Sequence, residues 1–230
     1  MRAVVFDFFG TLTDPGVEVG RKAAYEATGA ALGVDPAAFW AAISESFTER
    51  TTGVLGDTRS TLRLVAGRCG VEVDSATCET ALRHHLAAYP AVLRPHPAAV
   101  DVLTELRGRG FRIGLLSDCS SELVETWEST PFASLIESAV FSFDIGVRKP
   151  APIGYRTAAR SLGVDPDACW FVGDGGSNEH TGAHAAGMRP VLVANSGYAV
   201  EHLRADADTF VPPDVIDDLA DLPALVGSPG

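Results

Sequence analysis

Residues 3–9, AVVFDFF, form an apolar run broken only by Asp7, the pattern of a strand buried on both faces. From about residue 16 to 92 the period lengthens. Asp35-Pro36 supplies an N-cap and a first-turn proline, and Phe39, Trp40, Ile43 and Phe47 then share one helical face. Leu62, Val65 and Cys69 repeat the spacing, as do Cys78, Leu82, His85, Leu86 and Tyr89. No strand pattern interrupts this stretch, so it predicts a compact helical unit. Beyond about residue 97, strand and helix signals alternate. Val100, Leu103 and Leu106 mark a helix ended by Gly108 and Gly110. Strands are predicted at 111–117, 139–143, 169–174 and 190–195, with helices near 120–128, 152–162 and 178–186. The rhythm predicts an α/β fold. Residues 1–15 and 93–230 form a doubly wound parallel sheet, and residues 16–92 form a small all-helical domain inserted after the first strand. The last dozen residues, rich in Pro and Gly, are expected to be loosely ordered.

Composition narrows the partners. With 230 residues, 46% of them hydrophobic, the chain can bury a sizeable core. Its 18 basic and 30 acidic residues leave a formal charge of −12, which argues against nucleic acid or an anionic membrane as the main partner. A small anionic substrate stays open, because it needs only a local positive focus; the oligomeric state, monomer or homodimer, is open too. No apolar stretch approaches the roughly 20 residues that cross a bilayer. The opening MRAVVFDFFGTLTD has no small-residue cleavage site for export. Cys69, Cys78, Cys119 and Cys169 show no CxxC spacing. The expectation is a soluble, reduced, cytoplasmic protein. Only Lys22 and Lys149 are lysines, so a lysine near candidate chemistry stands out.

In an open α/β sheet, ligands bind beyond the carboxyl ends of the strands. Those ends carry Asp7, Ser117, Lys149 (shortly after 139–143) and Asp174. Singly, each is an ordinary polar residue that ends a strand; four together are a poor coincidence. The segments DFFGTL (7–12), LLSD (115–118), GVRKPAPIGY (146–155) and FVGDGGSNEHTGAHAAGM (171–188) resemble, in order and spacing, the four signatures of the haloacid dehalogenase-like (HAD) hydrolases. The likeness covers roughly 1–15 and 95–195, and the helical block resembles the cap that many members insert after the first signature. It implies a Rossmann-type core in which Asp7 is a nucleophile forming an aspartyl intermediate. Thr11 and Ser117 would bind the transferred group, and Lys149 would hold nucleophile and substrate charge together. Mg²⁺ would be held by Asp7, Asp174 and the Phe9 backbone carbonyl, with Glu179 as a second acid. The physics agrees: a carboxylate attacking a phosphate dianion meets repulsion that a divalent ion and an ammonium offset.

Position 9 departs from that pattern. The phosphatase branch usually carries an acid there as general acid and base, and Phe9 cannot move a proton. Losing such a group costs about 10²–10⁴-fold. Asp14, or His84 and His85 from the helical block, are the candidate replacements. An aromatic at this place also resembles the metal-independent 2-haloacid dehalogenases, whose halide leaves without a proton. Against that branch, the chain keeps Asp174 and Glu179, has Asp118 beside Ser117, and has no Arg between Lys22 and Glu49 to grip a haloacid. Charge balance favours a metal and a phosphoryl group, so an Mg²⁺-dependent phosphomonoester hydrolase acting on a small metabolite leads. A degenerate ligand-binding member is the reading from another class, and phosphonate hydrolysis lacks a suitable cap lysine.

Other features have plainer readings. His180 and His184 stand four apart, as in a zinc pair, but lack a third ligand. Cys119 has no partner histidine in the sequence. Arg50, Arg59 and Arg63 read as solvated, with one of them a candidate cationic contact to substrate, and Arg148 reads as structural. Phe39, Trp40, Ile43 and Phe47 read as core of the helical unit, with an aromatic at its interface with the sheet domain a candidate substrate contact.

Overall fold

The computed structural model describes residues 2–198 and 208–227. Among them, six strands form one parallel sheet: β1 (Ala3–Phe6), β2 (Arg112–Ser117), β3 (Ser138–Phe141), β4 (Cys169–Gly173), β5 (Arg189–Val193) and β6 (Asp214–Ile216), in the order β3-β2-β1-β4-β5-β6. β1 is hydrogen-bonded on both edges, Val4 lying opposite Ile113 on one side and Trp170 on the other. Alternate side chains of β1 leave for opposite faces. Val4 and Phe6 join a core with Leu103, Leu106 and Val172 beneath α6 (Ala99–Gly108). Ala3 and Val5 join a second with Tyr155, Ala158 and Ala183, which belong to α9 (Pro152–Ser161) and α10 (Glu179–Ala185). That two-sided burial is why the strand reads as an unbroken apolar run.

Between β1 and α6 lie five α-helices: α1 (Glu18–Ala31), α2 (Pro36–Glu45), α3 (Phe47–Thr51), α4 (Thr58–Arg68) and α5 (Ser75–Ala88). They enclose a core of their own around Phe39, Ile43, Leu62 and Val65. Aspartates cap three of them: Asp35, Asp57 and Asp74 accept from backbone N–H groups of the first turns, at 2.8–2.9 Å. This unit meets the sheet domain at α7 (Ser121–Thr126) and at α8 (Ser142–Ile145), where Ser142 Oγ donates to the Thr51 carbonyl at 2.6 Å.

Several predicted boundaries shift. The first strand stops at Phe6, because Leu12 and Thr13 fold back to donate to the Phe8 carbonyl at 2.9 and 3.0 Å. The run 139–143 ends its strand at Phe141 and turns into α8. β6, half-exposed and three residues long, was not predicted. Of the tail expected to be loose, Leu222–Val226 is α11, with Leu222 and Val226 buried; residues 228–230 lie outside the described residues. No described helix is long and apolar enough to cross a membrane.

Candidate active site

The strand order reverses between β1 and β4, the one place where crossovers leave neighbouring strands in opposite directions and open a crevice. Asp7 follows β1 and Asp174 follows β4, so the reversal sets two carboxylates side by side. Gly10 makes the turn between them possible: its φ is +76°, and a Cβ there would lie 2.9 Å from Asp174 Oδ2. Asn195, just past β5, braces the same turn by donating from Nδ2 to the Gly10 carbonyl at 2.8 Å.

Lys149 arrives from the loop between α8 and α9. Its backbone N–H donates to Asp118 Oδ1 at 3.0 Å, and Arg148 Nε donates to Asp118 Oδ2 at 3.2 Å, so Asp118 fixes the loop. The ammonium then donates to Asp7 Oδ1 at 2.5 Å and to Glu179 Oε2 at 2.7 Å. Glu179 opens α10 and is fully buried; its Oε1 accepts from Gly175 N at 2.7 Å, while Tyr155 Oη donates to its backbone carbonyl at 2.9 Å. Burial, reinforced by Glu179 and opposed by Lys149, pushes the Asp7 carboxyl up to about 6. Burial works against the Lys149 charge, yet Asp7 and Glu179 hold its ammonium well above the ordinary lysine range. Burial also raises Asp118 despite Lys149 and Arg148.

Asp7, Asp174 and Glu179 bring carboxylate oxygens within 4.8 Å of one another, all buried. Like charges about 4 Å apart repel by about 4 kcal/mol at an effective dielectric near 20. One ammonium does not balance three carboxylates. An all-oxygen anionic donor set of this kind fits a hard divalent cation such as Mg²⁺.

Thr11 and Ser117 lie behind this cluster rather than on the cavity wall. Thr11 is fully buried and donates to Asp7 Oδ2 at 3.3 Å; the Ser117 hydroxyl, at the end of β2, is buried without a hydrogen-bond partner. In front of the carboxylates opens a cavity of about 470 Å³ between the sheet and the helical unit. Phe9, Tyr25, Trp40, Ile43 and Phe47 supply much of its wall, so Trp40 and Phe47 are not merely core.

None of the three replacement acids reaches it. Asp14 accepts from Gly16 N at 2.8 Å and pairs with Arg94 at 2.7 Å. His84 is exposed. His85 is buried elsewhere, its Nδ1 3.0 Å from Thr28 Oγ1 and its Nε2 3.3 Å from Glu122 Oε1.

Two arginines line the cavity instead. Arg50 is buried, not solvated, and donates to Ser120 Oγ at 3.1 Å, Tyr25 Oη at 3.3 Å and the Ile43 carbonyl. Arg21 rises from α1 with its guanidinium 4.6 Å over the Phe9 ring. Arg21 stands one residue ahead of the arginine-free stretch between Lys22 and Glu49, and only the direction of α1 reveals its place. Of the remaining candidates, Arg59 pairs with Glu79, and Arg148 also donates to Ser177 Oγ at 3.2 Å. His184 stacks on Phe210 and His180 packs edge-on against Phe171, and neither joins the acidic cluster found among the described residues.

A model of the haloacid dehalogenase-like hydrolase family matches residues 1–187. A glyceraldehyde 3-phosphate phosphatase of Methanopyrus kandleri is 35% identical over 121 residues, 51% of this chain and 51% of that protein. The chain thus spans about half the length of that relative. A phosphoglycolate phosphatase of Rhodospirillum rubrum is 30% identical over 99% of this chain and 92% of its own length. The solved structure of a 2-haloacid dehalogenase from Pseudomonas syringae superposes with a TM-score of 0.73 at 26% identity, covering 98% of both chains.

Proposed function

The chain belongs to the haloacid dehalogenase-like hydrolases, and from that premise we propose that it is an Mg²⁺-dependent phosphatase of a small phosphomonoester, working in the cytoplasm. In this reading residues 16–92 are a cap that closes over substrate held on the core of 1–15 and 93–230, excluding water. Asp7 is the nucleophile: one of its oxygens bonds to phosphorus as the ester oxygen departs, and water then releases phosphate from the aspartyl-phosphate. Lys149 holds Asp7 in place and draws the phosphoryl charge toward it. Thr11 orients the second Asp7 oxygen, and the unpartnered Ser117 hydroxyl is available to the transferred group. Asp7, Asp174 and the Phe9 carbonyl, with Glu179 behind them, would hold Mg²⁺, which supplies positive charge to offset that of phosphate.

The observation that carries the reading is the crowding of three buried carboxylates around one ammonium at the sheet's switch point. The carboxylate cluster calls for an added cation, although Arg21 on the cavity wall weakens the objection to a bare carboxylate substrate. Phe9 and the dehalogenase-like structure support a second reading, metal-independent release of halide from a 2-haloacid. The test is product release from a mixed panel of phosphomonoesters and 2-haloacids, with Mg²⁺ and with EDTA, and with Asp7→Asn as the blank. Phosphate release that needs Mg²⁺ and vanishes in Asp7→Asn is expected. Halide release that survives EDTA would overturn the charge argument, and no product from either class would point to a ligand-binding member.

A further inference from the structure

Resting on the phosphatase reading, we infer that the substrate is a phosphate ester of an acidic hydroxyl, an aryl phosphate whose ring lodges against the aromatic wall of the cavity. Phe9 offers no proton donor to a leaving oxygen. Its ring meets Phe8 edge-on at 5.0 Å and lies under Arg21, so no side chain there donates a proton. Apart from the nucleophile, the acidic side chains lining the cavity among the described residues are Asp118, Asp174 and Glu179. Each is already an acceptor. Asp118 receives Lys149 N and Arg148 Nε, Asp174 receives Gly176 N at 3.1 Å, and Glu179 receives Gly175 N and the Lys149 ammonium. Tyr25 spends its hydroxyl proton on Glu122 Oε1 at 2.9 Å.

A leaving oxygen at this site therefore departs as an anion. A phenol, with a pKa near 10, tolerates that; an aliphatic alcohol, about as weak an acid as water, does not. The walls agree with the chemistry. Tyr25, Trp40, Ile43 and Phe47 offer an apolar, largely aromatic surface on which a ring stacks, and the Arg21 guanidinium places positive charge at the Phe9 wall. An Asp7 oxygen bonds to phosphorus, the aryl oxygen leaves with the P–O electron pair, and the phenolate takes its proton from solvent. Water then attacks phosphorus, returning the Asp7 carboxylate and inorganic phosphate.

The experiment is a comparison of kcat/KM for phenyl phosphate, benzyl phosphate and a series of ring-substituted phenyl phosphates, with Mg²⁺ supplied. Phenyl over benzyl phosphate should be favoured by about 10²–10⁴-fold, the contribution of the absent acid, and kcat/KM should climb steadily with the acidity of the phenol. Phe9→Asp should flatten that slope by raising the poor leaving groups, whereas Phe9→Leu should keep it steep. A flat slope in the native protein, or phenyl and benzyl phosphate within about tenfold of each other, overturns the inference while leaving the phosphatase reading intact. A steep slope that a folded Phe9→Asp leaves unchanged removes Phe9 as its cause. No phosphate from any ester sinks both readings. The native series stands alone should Phe9→Asp fail to fold.

Discussion

Glu122 ties the helical unit to the sheet domain, and replacing it with Gln tests how firmly. It sits on α7, fully enclosed, with its Oε1 accepting from Tyr25 of α1 at 2.9 Å and facing His85 Nε2 of α5 at 3.3 Å. Arg50 of α3 reaches the same cluster through Tyr25 Oη. Burial would raise the Glu122 carboxyl, but the His85 hydrogen bond and the Arg50 charge hold it well below the usual carboxylate range. Glu122→Gln preserves volume and one acceptor while removing the charge. Hydrogen bonds to charged groups are worth about 1.5–3 kcal/mol, and breaking a buried ion pair about 3–5 kcal/mol. With one acceptor retained, the expected loss is about 2–3 kcal/mol, or about 5–10 °C in Tm for a chain of this size. The assay is urea denaturation of both proteins at several pH values. Because the folded pKa lies below the unfolded one, the Glu122 contribution is present above about 4.3 and is lost as pH falls below it. The gap between wild type and variant should therefore begin to narrow near pH 4.3 and keep narrowing as pH falls through 3, since the folded carboxyl stays ionised well below the unfolded one. A loss under about 0.5 kcal/mol at pH 7.5, or a gap that does not change with pH, would refute the reasoning.

Two further substitutions probe the site's frame. Gly182→Ala on α10 would set a Cβ 2.5 Å from Tyr155 Oη and 2.8 Å from Pro150 Cα, so it should cost about 1–3 kcal/mol and lower kcat/KM by displacing the Lys149 loop. Gly67→Ala, on an exposed face of α4 with nothing within 4 Å, should instead stabilise by about 0.5–1 kcal/mol, and equal denaturation midpoints for the two would argue against the packing account. Lys149→Met should reduce turnover by at least about 10³-fold and leave Asp7 and Glu179 without their buried partner. Asp7 is already raised to about 6 with Lys149 present; a carboxyl raised in the fold binds its proton more tightly there, so the variant should regain stability as pH falls from 8 toward 5. Denaturation that worsens on acidification over that range would contradict it.

The amino-acid sequence by itself determined the architecture and the chemical cast. β1 is legible because burial on both faces makes all its positions apolar, and the alternation of strand and helix after residue 97 admits little but a parallel sheet with crossovers. Asp7, Lys149 and Asp174 are legible because polar groups at strand ends stand out against that pattern. β6 is not, since three residues with an exposed Val215 carry no periodicity, and its pairing with β5 decides it. Likewise the tail around Leu222 reads as Pro/Gly-rich coil until it packs on the core. Which side chains face the cavity is the least legible part. Arg21 over Phe9, Arg50 turned inward and His85 turned away toward Glu122 all depend on how α1, α3 and α5 lie against α7. Those contacts join residues 12 to 70 positions apart, such as Phe9 with Arg21 and Arg50 with Ser120. Local periodicity fixes only the face a residue occupies on its own element. Which face meets which is settled by packing between elements, and only the tertiary structure holds that.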